Sequence, residues 1–142
     1  MAITFRPIGV MRTEAAEIPK HWSVSDVEGA LEIREEYRQG LRDIRPGSLI
    51  ILFFLFHESP SFAAEFLVQH PRGDLARPKR GVFDLRSPIR PNPIGMSIVN
   101  VIGIDASGLR VKGIDMFDGT PILDIKPFRP ADYKGLIEKN RD

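Results

Sequence analysis

Ser48-Leu-Ile-Ile-Leu-Phe-Phe-Leu-Phe56 contains the longest apolar run of the chain, eight residues from Leu49 to Phe56. Because the run is apolar at odd and even positions alike, it predicts a strand that is buried on both faces. Other apolar residues alternate with polar ones or form short blocks bounded by Gly, Pro, Asp and Ser, whereas a 3.6-residue repeat is scarce. Strands should therefore dominate the fold.

The same patterns predict a mainly β fold whose elements can be assigned along the chain. The predicted strands are 3–11, 30–33, 48–56, 65–69, 81–85, 96–104, 109–117 and 122–125. Residues 104–109 predict a hairpin turn, and one short helix is predicted over 34–41. Such a set favours an antiparallel β-barrel with one or two short helices and not a Rossmann fold, because closure removes exposed strand edges.

Length and composition predict one domain over residues 1–142, with a core of about 3–130 and a surface helix or tail over 131–142. The chain has no Cys, which excludes thiol nucleophiles and disulfides and fits a cytoplasmic protein. An apolar run of eight residues is too short to span a membrane, and no signal peptide is expected.

The histidines give little indication of a metal site, because His21, His57 and His70 form no i, i+4 pair and lie near no acidic cluster. His57-Glu58 ends the long apolar strand, where the pair is either a ligand contact at a barrel rim or a rim histidine without a task. The glycines do not form a GxGxxG motif or a Walker loop, so a dinucleotide-binding fold is not expected.

Arg86-Ser-Pro-Ile-Arg-Pro-Asn-Pro-Ile-Gly95 holds three prolines in ten positions and predicts a stiff loop, since proline fixes φ and restricts the residue before it. Such a loop presents its charged side chains with little entropy left to lose on binding. Asp118-Gly-Thr-Pro121 predicts a second turn. The alternative is a proline-rich connector whose charges are solvated.

A local excess of positive charge precedes and overlaps this loop, with six basic residues against two acidic ones between residues 72 and 90. The pattern is typical of contact with a phosphate backbone, although a solvated surface would look the same. The residues predicted to bind RNA are Arg72, Arg77, Lys79, Arg80 and Arg90.

The segment 81–95, followed by 118–121 and by Asp124-Ile-Lys-Pro127, resembles the signature of the TsaA-like (TrmO) family, and the resemblance extends over about residues 3–130. It implies a homodimeric β-barrel enzyme that uses S-adenosylmethionine to methylate N6 of threonylcarbamoyladenosine beside the tRNA anticodon. Bacterial members carry a further C-terminal region and often Pro-Arg-Gln where this chain has Pro19-Lys20-His21.

The resemblance also implies which residues contact the cofactor. They are Pro19, Lys20, His21, His57, Glu58, Arg86, Met96, Asp118, Gly119, Thr120 and Pro121. Arg86 can offer a bidentate donor to the cofactor carboxylate, and Asp118 or Glu58 can offer an acceptor.

Methyl transfer depends mainly on alignment, for which a rigid loop is suited. The Asn92 amide and the Pro91 carbonyl are candidate acceptors for the substrate N–H, by analogy with the Asn-Pro segments of unrelated adenine N6 methyltransferases. Asp118, Asp124 and His57 are candidate bases. For Asp124 an ion pair with Lys126 on one strand face is the favoured alternative. A non-catalytic module that senses a nucleoside or S-adenosylmethionine and recruits RNA is the competing hypothesis for the whole protein.

Overall fold

The computed structural model of the chain describes residues 1–139. Its centre is a closed antiparallel barrel of strands in the order β1-β2-β7-β6-β3-β8, beside a two-stranded sheet of β4 and β5. In chain order the strands are β1 Gly9–Arg12, β2 Glu28–Ile33, β3 Leu49–Leu55, β4 Val68–Gln69, β5 Arg80–Gly81, β6 Ile94–Asp105, β7 Gly108–Lys112 and β8 Thr120–Phe128. The predicted barrel class is thus confirmed.

Strand β3 lies between β6 and β8 and supplies the centre of the core. Ile50, Leu52 and Phe54 point into the barrel and are 2 % exposed or less, and fully burying one such side chain contributes roughly 2 kcal/mol. Ile51 lies on the outer face, paired with Ile98 and Lys126, and is still only 7 % exposed. Burial on both faces explains why this strand lacks an alternating pattern.

The strand predicted over 122–125 was too short, since β8 spans Thr120–Phe128, and four other predicted strands were too long by three residues or more. Residues 65–69 form mostly a 3-10 turn, Ala64–Leu67, and residues 81–85 form another, Val82–Asp84. Both flank the small sheet, where the strands pair over only two residues each, so their apolar side chains do not belong to the barrel core. Residues 3–6 are exposed and β1 begins only at Gly9.

The strand predicted over 109–117 also ends early, because Gly113 has a φ of 99° and turns the chain out of the sheet after Lys112. The predicted hairpin at 104–109 is confirmed between β6 and β7. There one Asp105 carboxylate oxygen accepts hydrogen bonds at 2.9 Å from the backbone N–H groups of Ser107 and Gly108.

The predicted short helix is present as a 3-10 helix, Glu35–Leu41, and the C-terminal segment forms the helix α1, Pro130–Lys139. Helix α1 contacts the barrel through Tyr133, whose ring stacks on Phe128 with ring centroids 5.0 Å apart. The last three residues of the predicted segment 131–142 lie outside the described residues.

The alternating strand directions bring three connections to the same end of the barrel, which we call the mouth. They are residues 13–27 between β1 and β2, residues 56–93 between β3 and β6, and residues 113–119 between β7 and β8. The connection 34–48 and the β6–β7 hairpin lie at the opposite end. The predicted site segments 19–21, 57–58, 86–95 and 118–121 therefore lie in connections at the same end of the barrel.

Candidate functional site at the barrel mouth

Asp118 lies at the mouth, in the connection that leads into β8. One carboxylate oxygen accepts a hydrogen bond from the Thr13 backbone N–H at 3.0 Å, and the other lies 3.9 Å from the Arg12 guanidinium. The side chain is still 56 % exposed. Asp118 thus joins two connections of the mouth and keeps part of its carboxylate available for a ligand.

Gly119 brings this turn close to the end of β3. It has a φ of 83°, which favours glycine, and its N–H donates to the Met11 carbonyl at 2.8 Å. A Cβ at this position would lie 3.9 Å from His57 Nε2. His57 Nε2 in turn lies 3.8 Å from a Glu58 carboxylate oxygen. Residues 57–58 and 118–119, which are far apart in sequence, are therefore neighbours at the mouth.

Thr120 and Pro121 contribute to the turn through their backbone and packing. The Thr120 hydroxyl is buried and donates to the Phe117 carbonyl at 2.7 Å, while Pro121 is paired with Val10 in the β1–β8 ladder. Of the four residues 118–121, Asp118 is therefore the one that offers a charged side chain to solvent.

The proline loop 86–95 stands against the same end of β3. The Phe56 N–H donates to the Pro93 carbonyl at 2.8 Å, and the Ser59 hydroxyl donates to the Pro88 carbonyl at 3.1 Å. Gln69 in β4 donates to the Ile89 carbonyl at 2.7 Å. The bonds to Phe56 and Ser59, which precede and follow His57-Glu58 in the sequence, hold the loop at the mouth. The loop can therefore display its side chains from a fixed backbone.

Arg86 and Asn92 lie at the two ends of this loop with exposed side chains. Within residues 1–139, Arg86 forms no ion pair, and the Asn92 side chain forms no hydrogen bond with the protein. Both polar groups are thus available to a ligand on a support that is already ordered.

Met96 lies on β6, and the segment Pro19-Lys20-His21 lies in the connection 13–27. Met96 faces outward from β6, between the buried Gly95 and Ser97 and opposite Phe53. His21 is bonded locally, since its Nδ1 accepts from the Ser23 N–H at 3.1 Å. Within the described chain, no hydrogen bond or ion pair joins residues 19–21 to His57 or Asp118.

Asp115 is a polar residue of the mouth that the sequence did not single out. It is partly buried, accepts a hydrogen bond from the Ser97 hydroxyl at one carboxylate oxygen, and accepts another from the Trp22 backbone N–H at 3.0 Å at the other. Burial raises the pKa of Asp115 above its ordinary value of 3.8, against the opposing effect of these hydrogen bonds. The one feature of the sequence that could have indicated Asp115 is its position as an acidic residue between the apolar Ile114 and Met116.

The basic residues of the 56–93 connection fall into two groups. Arg80 pairs with Asp84, its Nε donating at 2.8 Å, and Arg90 donates to the Leu85 and Ser87 carbonyls at 3.0 and 3.2 Å. In contrast, the other three predicted RNA contacts are exposed and form no ion pair within residues 1–139. These are Arg72, Arg77 and Lys79.

Phe83 is an exposed aromatic residue between the two predicted contacts Arg80 and Arg86. It is 77 % exposed, whereas its neighbour Val82 is 1 % exposed and anchors the turn. An exposed ring on an anchored turn near cationic side chains can stack on an unpaired base. No pattern in the sequence indicated which ring in this region would be exposed.

The ion pair that was favoured for Asp124 is present, since Lys126 Nζ lies 3.1 Å from its carboxylate. Within the described residues, no cluster of three or more His, Asp or Glu side chains is arranged to hold a metal ion. No helix among them has the length and apolar character needed to cross a membrane.

Comparison with known proteins gives a consistent family assignment. Residues 10–132 match the family described as tRNA-methyltransferase O N-terminal domain. A probable S-adenosyl-L-methionine-binding protein from Pyrococcus abyssi is 40% identical over 155 residues, covering 99% of this chain and 79% of that protein. A mouse tRNA (adenine(37)-N6)-methyltransferase is 42% identical over 86 residues, covering 61% of this chain and 19% of that protein.

Solved structures show the same fold. TrmO from Pseudomonas aeruginosa matches with a TM-score of 0.71 and 31% identity, covering 93% of this chain. The chain spans 58% of the length of that structure. Together, the barrel, the proline loop at its mouth and the match over residues 10–132 show that the chain belongs to the tRNA-methyltransferase O family.

Proposed function

We propose that the protein is an S-adenosylmethionine-dependent methyltransferase that acts on N6 of threonylcarbamoyladenosine beside the tRNA anticodon. The observation that carries the proposal is the mouth itself, where the proline loop is hydrogen-bonded to Phe56 and Ser59 and the 118–121 turn lies beside His57. Family membership supports the cofactor, because several relatives are named as S-adenosylmethionine-binding proteins or S-adenosylmethionine-dependent methyltransferases.

The residues of the mouth fit the chemistry of this cofactor. S-adenosylmethionine carries a carboxylate, an ammonium, a sulfonium and a ribose diol, so its site needs a cationic fork and several acceptors. Arg86 supplies an unpaired guanidinium, and Asp118 and Glu58 supply exposed carboxylates. We propose that residues 19–21, Met96 and the backbone of 119–121 complete the contacts.

In this proposal the cofactor supplies an electrophilic methyl group, and the protein supplies alignment. The Asn92 amide and the Pro91 carbonyl would accept the substrate N–H and direct its nitrogen toward the methyl group. Asp118 or His57 would receive the proton that the nitrogen loses. His57 and Asp118 both remain candidates because they lie on the same side of the mouth, whereas Asp124 is paired with Lys126.

The proposed RNA contacts lie in the connection that also carries the proline loop. Arg72, Arg77 and Lys79 are exposed and form no ion pair within residues 1–139, which suits them for phosphates. Arg80 and Arg90 are engaged within the protein, so in our proposal they shape the loop and reach RNA only with their remaining donors. Phe83 would stack on an unpaired base of the anticodon loop.

We further propose that the protein works as a homodimer in the cytoplasm, where its tRNA substrate is found. An apolar strip on the outer barrel wall supports a dimer, since Leu55 pairs with Ile94 and Phe53 with Met96 on that face. Ile94 is 43% exposed although it is apolar. Sedimentation velocity over a range of protein concentrations would measure the association.

The test of the proposal is transfer of a labelled methyl group. The protein is incubated with methyl-labelled S-adenosylmethionine and tRNA that carries threonylcarbamoyladenosine, and the nucleosides are separated after digestion. We expect label in one modified adenosine, lost in Asn92→Ala and retained in Arg45→Ala, which alters an exposed residue at the opposite end of the barrel.

The competing hypothesis is a non-catalytic module that binds the cofactor or a nucleoside and recruits RNA. It predicts binding of both partners by the wild-type protein without label in any nucleoside. Label in a different nucleoside would support the proposed methyltransferase activity but overturn the proposed substrate. Wild-type turnover in Asn92→Ala at saturating tRNA would remove the role proposed for Asn92.

A further inference from the structure

We propose that Asp115 is a positioning residue, which holds the segment Pro19-Lys20-His21 in place for the cofactor through the backbone of Trp22. The proposal rests on the proposed function, because it assumes that residues 19–21 contact the cofactor. It adds a residue that neither the sequence motifs nor the resemblance assigned. The evidence lies in the way the connection 13–27 is attached to the barrel.

This connection has few attachments along its central part. Near its start, the Thr13 hydroxyl donates to the Glu28 carbonyl at 2.9 Å and accepts from the Ala15 N–H at 3.2 Å. Within the described chain, the next hydrogen bond from this connection to another part of the protein is that of the Trp22 N–H to Asp115, in the connection 113–119, at 3.0 Å. The proposed cofactor segment therefore lies between two anchors, of which Asp115 is the nearer.

Asp115 is itself held from two sides. Ser97, which is 0% exposed in the wall of β6, donates its hydroxyl to the second carboxylate oxygen of Asp115. The neighbouring Ile114 carbonyl accepts a hydrogen bond from the Ser25 hydroxyl. The Gly113 N–H donates to the Val27 carbonyl at 2.8 Å. Strand β6, through Ser97, and the connection 13–27, through Ser25 and Val27, thus hold the segment that carries this carboxylate.

The anchor acts on the residues that precede it through a compact local turn. The Ser25 N–H donates to the Trp22 carbonyl at 3.1 Å, and His21 Nδ1 accepts from the Ser23 N–H. The His21 and Trp22 rings lie with their centroids 4.8 Å apart. Fixing Trp22 therefore fixes His21, and a segment that is ordered before the ligand arrives loses less entropy on binding.

In this proposal Asp115 acts through its two hydrogen bonds and not through its negative charge. Asparagine has the same shape and can accept from the Trp22 N–H while it donates to the freely rotating Ser97 hydroxyl. Alanine removes both bonds. Asp115→Asn is therefore the conservative variant, and Asp26→Ala is the matched control, because Asp26 is an exposed acid of the same connection without a hydrogen bond to its side chain within residues 1–139.

Trp22 is the only tryptophan in the chain, so its fluorescence reports on this anchor directly. Acrylamide quenching is measured for the wild-type protein and the Asp115→Ala, Asp115→Asn and Asp26→Ala variants, with folding checked by circular dichroism. S-adenosylmethionine affinity is measured on the same samples by calorimetry. Should Asp115→Ala fail to fold, Ser97→Ala removes the support of the carboxylate and replaces it in the series.

We expect Asp115→Ala to increase quenching of Trp22 and to raise the Kd for S-adenosylmethionine about tenfold, the size of effect expected when about one released residue must be ordered again on binding. Asp115→Asn should stay within about threefold of wild type, because it keeps both bonds. Asp26→Ala should change neither measurement.

Quenching and affinity in Asp115→Ala that match those of Asp26→Ala would overturn the proposal. So would an Asp115→Asn variant as weak as Asp115→Ala, because charge and not positioning would then be what matters. If the wild-type protein binds no S-adenosylmethionine, the proposed function fails and the role toward the cofactor fails with it. The quenching of Asp115→Ala then decides separately whether the anchor exists.

Discussion

Removal of the Arg86 side chain should weaken cofactor binding without weakening the fold. Arg86 is exposed and forms no ion pair within residues 1–139, so Arg86→Ala removes no protein contact that stabilises the native state. Its effect on the free energy of unfolding should stay within about 0.5 kcal/mol. A hydrogen bond to a charged group contributes roughly 1.5 to 3 kcal/mol, so the Kd for S-adenosylmethionine should rise roughly 10- to 100-fold.

Titration calorimetry at constant ionic strength measures this change, with thermal unfolding of the same samples as the check on the fold. Arg45→Ala is the matched control, because Arg45 is also an exposed arginine without an ion pair in the described residues but lies in the connection 34–48 at the opposite end. An unchanged Kd in Arg86→Ala, or an equal loss in Arg45→Ala, would refute the assignment of Arg86 to the cofactor.

Three further predictions concern stability and are measured by thermal unfolding. Gly108→Ala should destabilise the protein by about 2 kcal/mol or more, because a Cβ there would lie 1.9 Å from the Leu31 carbonyl oxygen; an unchanged Tm would contradict this close approach. Hydrogen bonding, chiefly from the Ser107 hydroxyl, lowers the pKa of Asp105 below 3.8, so wild type should be more stable than Asp105→Asn at about pH 7 and lose that advantage as the pH falls through the folded pKa. Burial raises the pKa of Asp115. The stability of wild type relative to Asp115→Asn should therefore decrease as the pH rises through the folded pKa. A stability difference that does not depend on pH would contradict this prediction.

The barrel could be predicted because its strands carry strong local patterns. The run 49–56 predicted a strand buried on both faces, and β3 indeed lies between two neighbours with Ile51 covered on the outside. The hairpin before Gly108 was equally clear from its Asp, Ser and Gly. Both features depend on residues that are adjacent in sequence, which is the information that a periodicity captures.

The small sheet and the end of β7 could not be predicted in the same way. Residues 65–69 and 81–85 contain apolar side chains, but only the assembled chain shows that Val82 is buried while Phe83 is exposed. The turn after Lys112 depends on the positive φ of Gly113, and a lone glycine in an apolar stretch is compatible with a strand. The extent of these strands is therefore set by tertiary packing and not by the local sequence pattern.

At the candidate site, the sequence predicted the segments but not their contacts. The two turns at 86–95 and 118–121 were identifiable from their prolines and charges, and both lie at the mouth. The bonds of Asp118 to Thr13 and of Asp115 to Trp22 join residues 105 and 93 positions apart. No local pattern encodes such pairings, which is why Asp115 was missed although it lies three residues before Asp118.

Hydrogen exchange with and without S-adenosylmethionine tests most directly whether the two turns form a single binding site. We predict slower exchange in both 86–95 and 118–121, with the same dependence on cofactor concentration, and no change in the connection 34–48 at the opposite end. Protection of only one turn, or protection confined to the opposite end, would contradict the account.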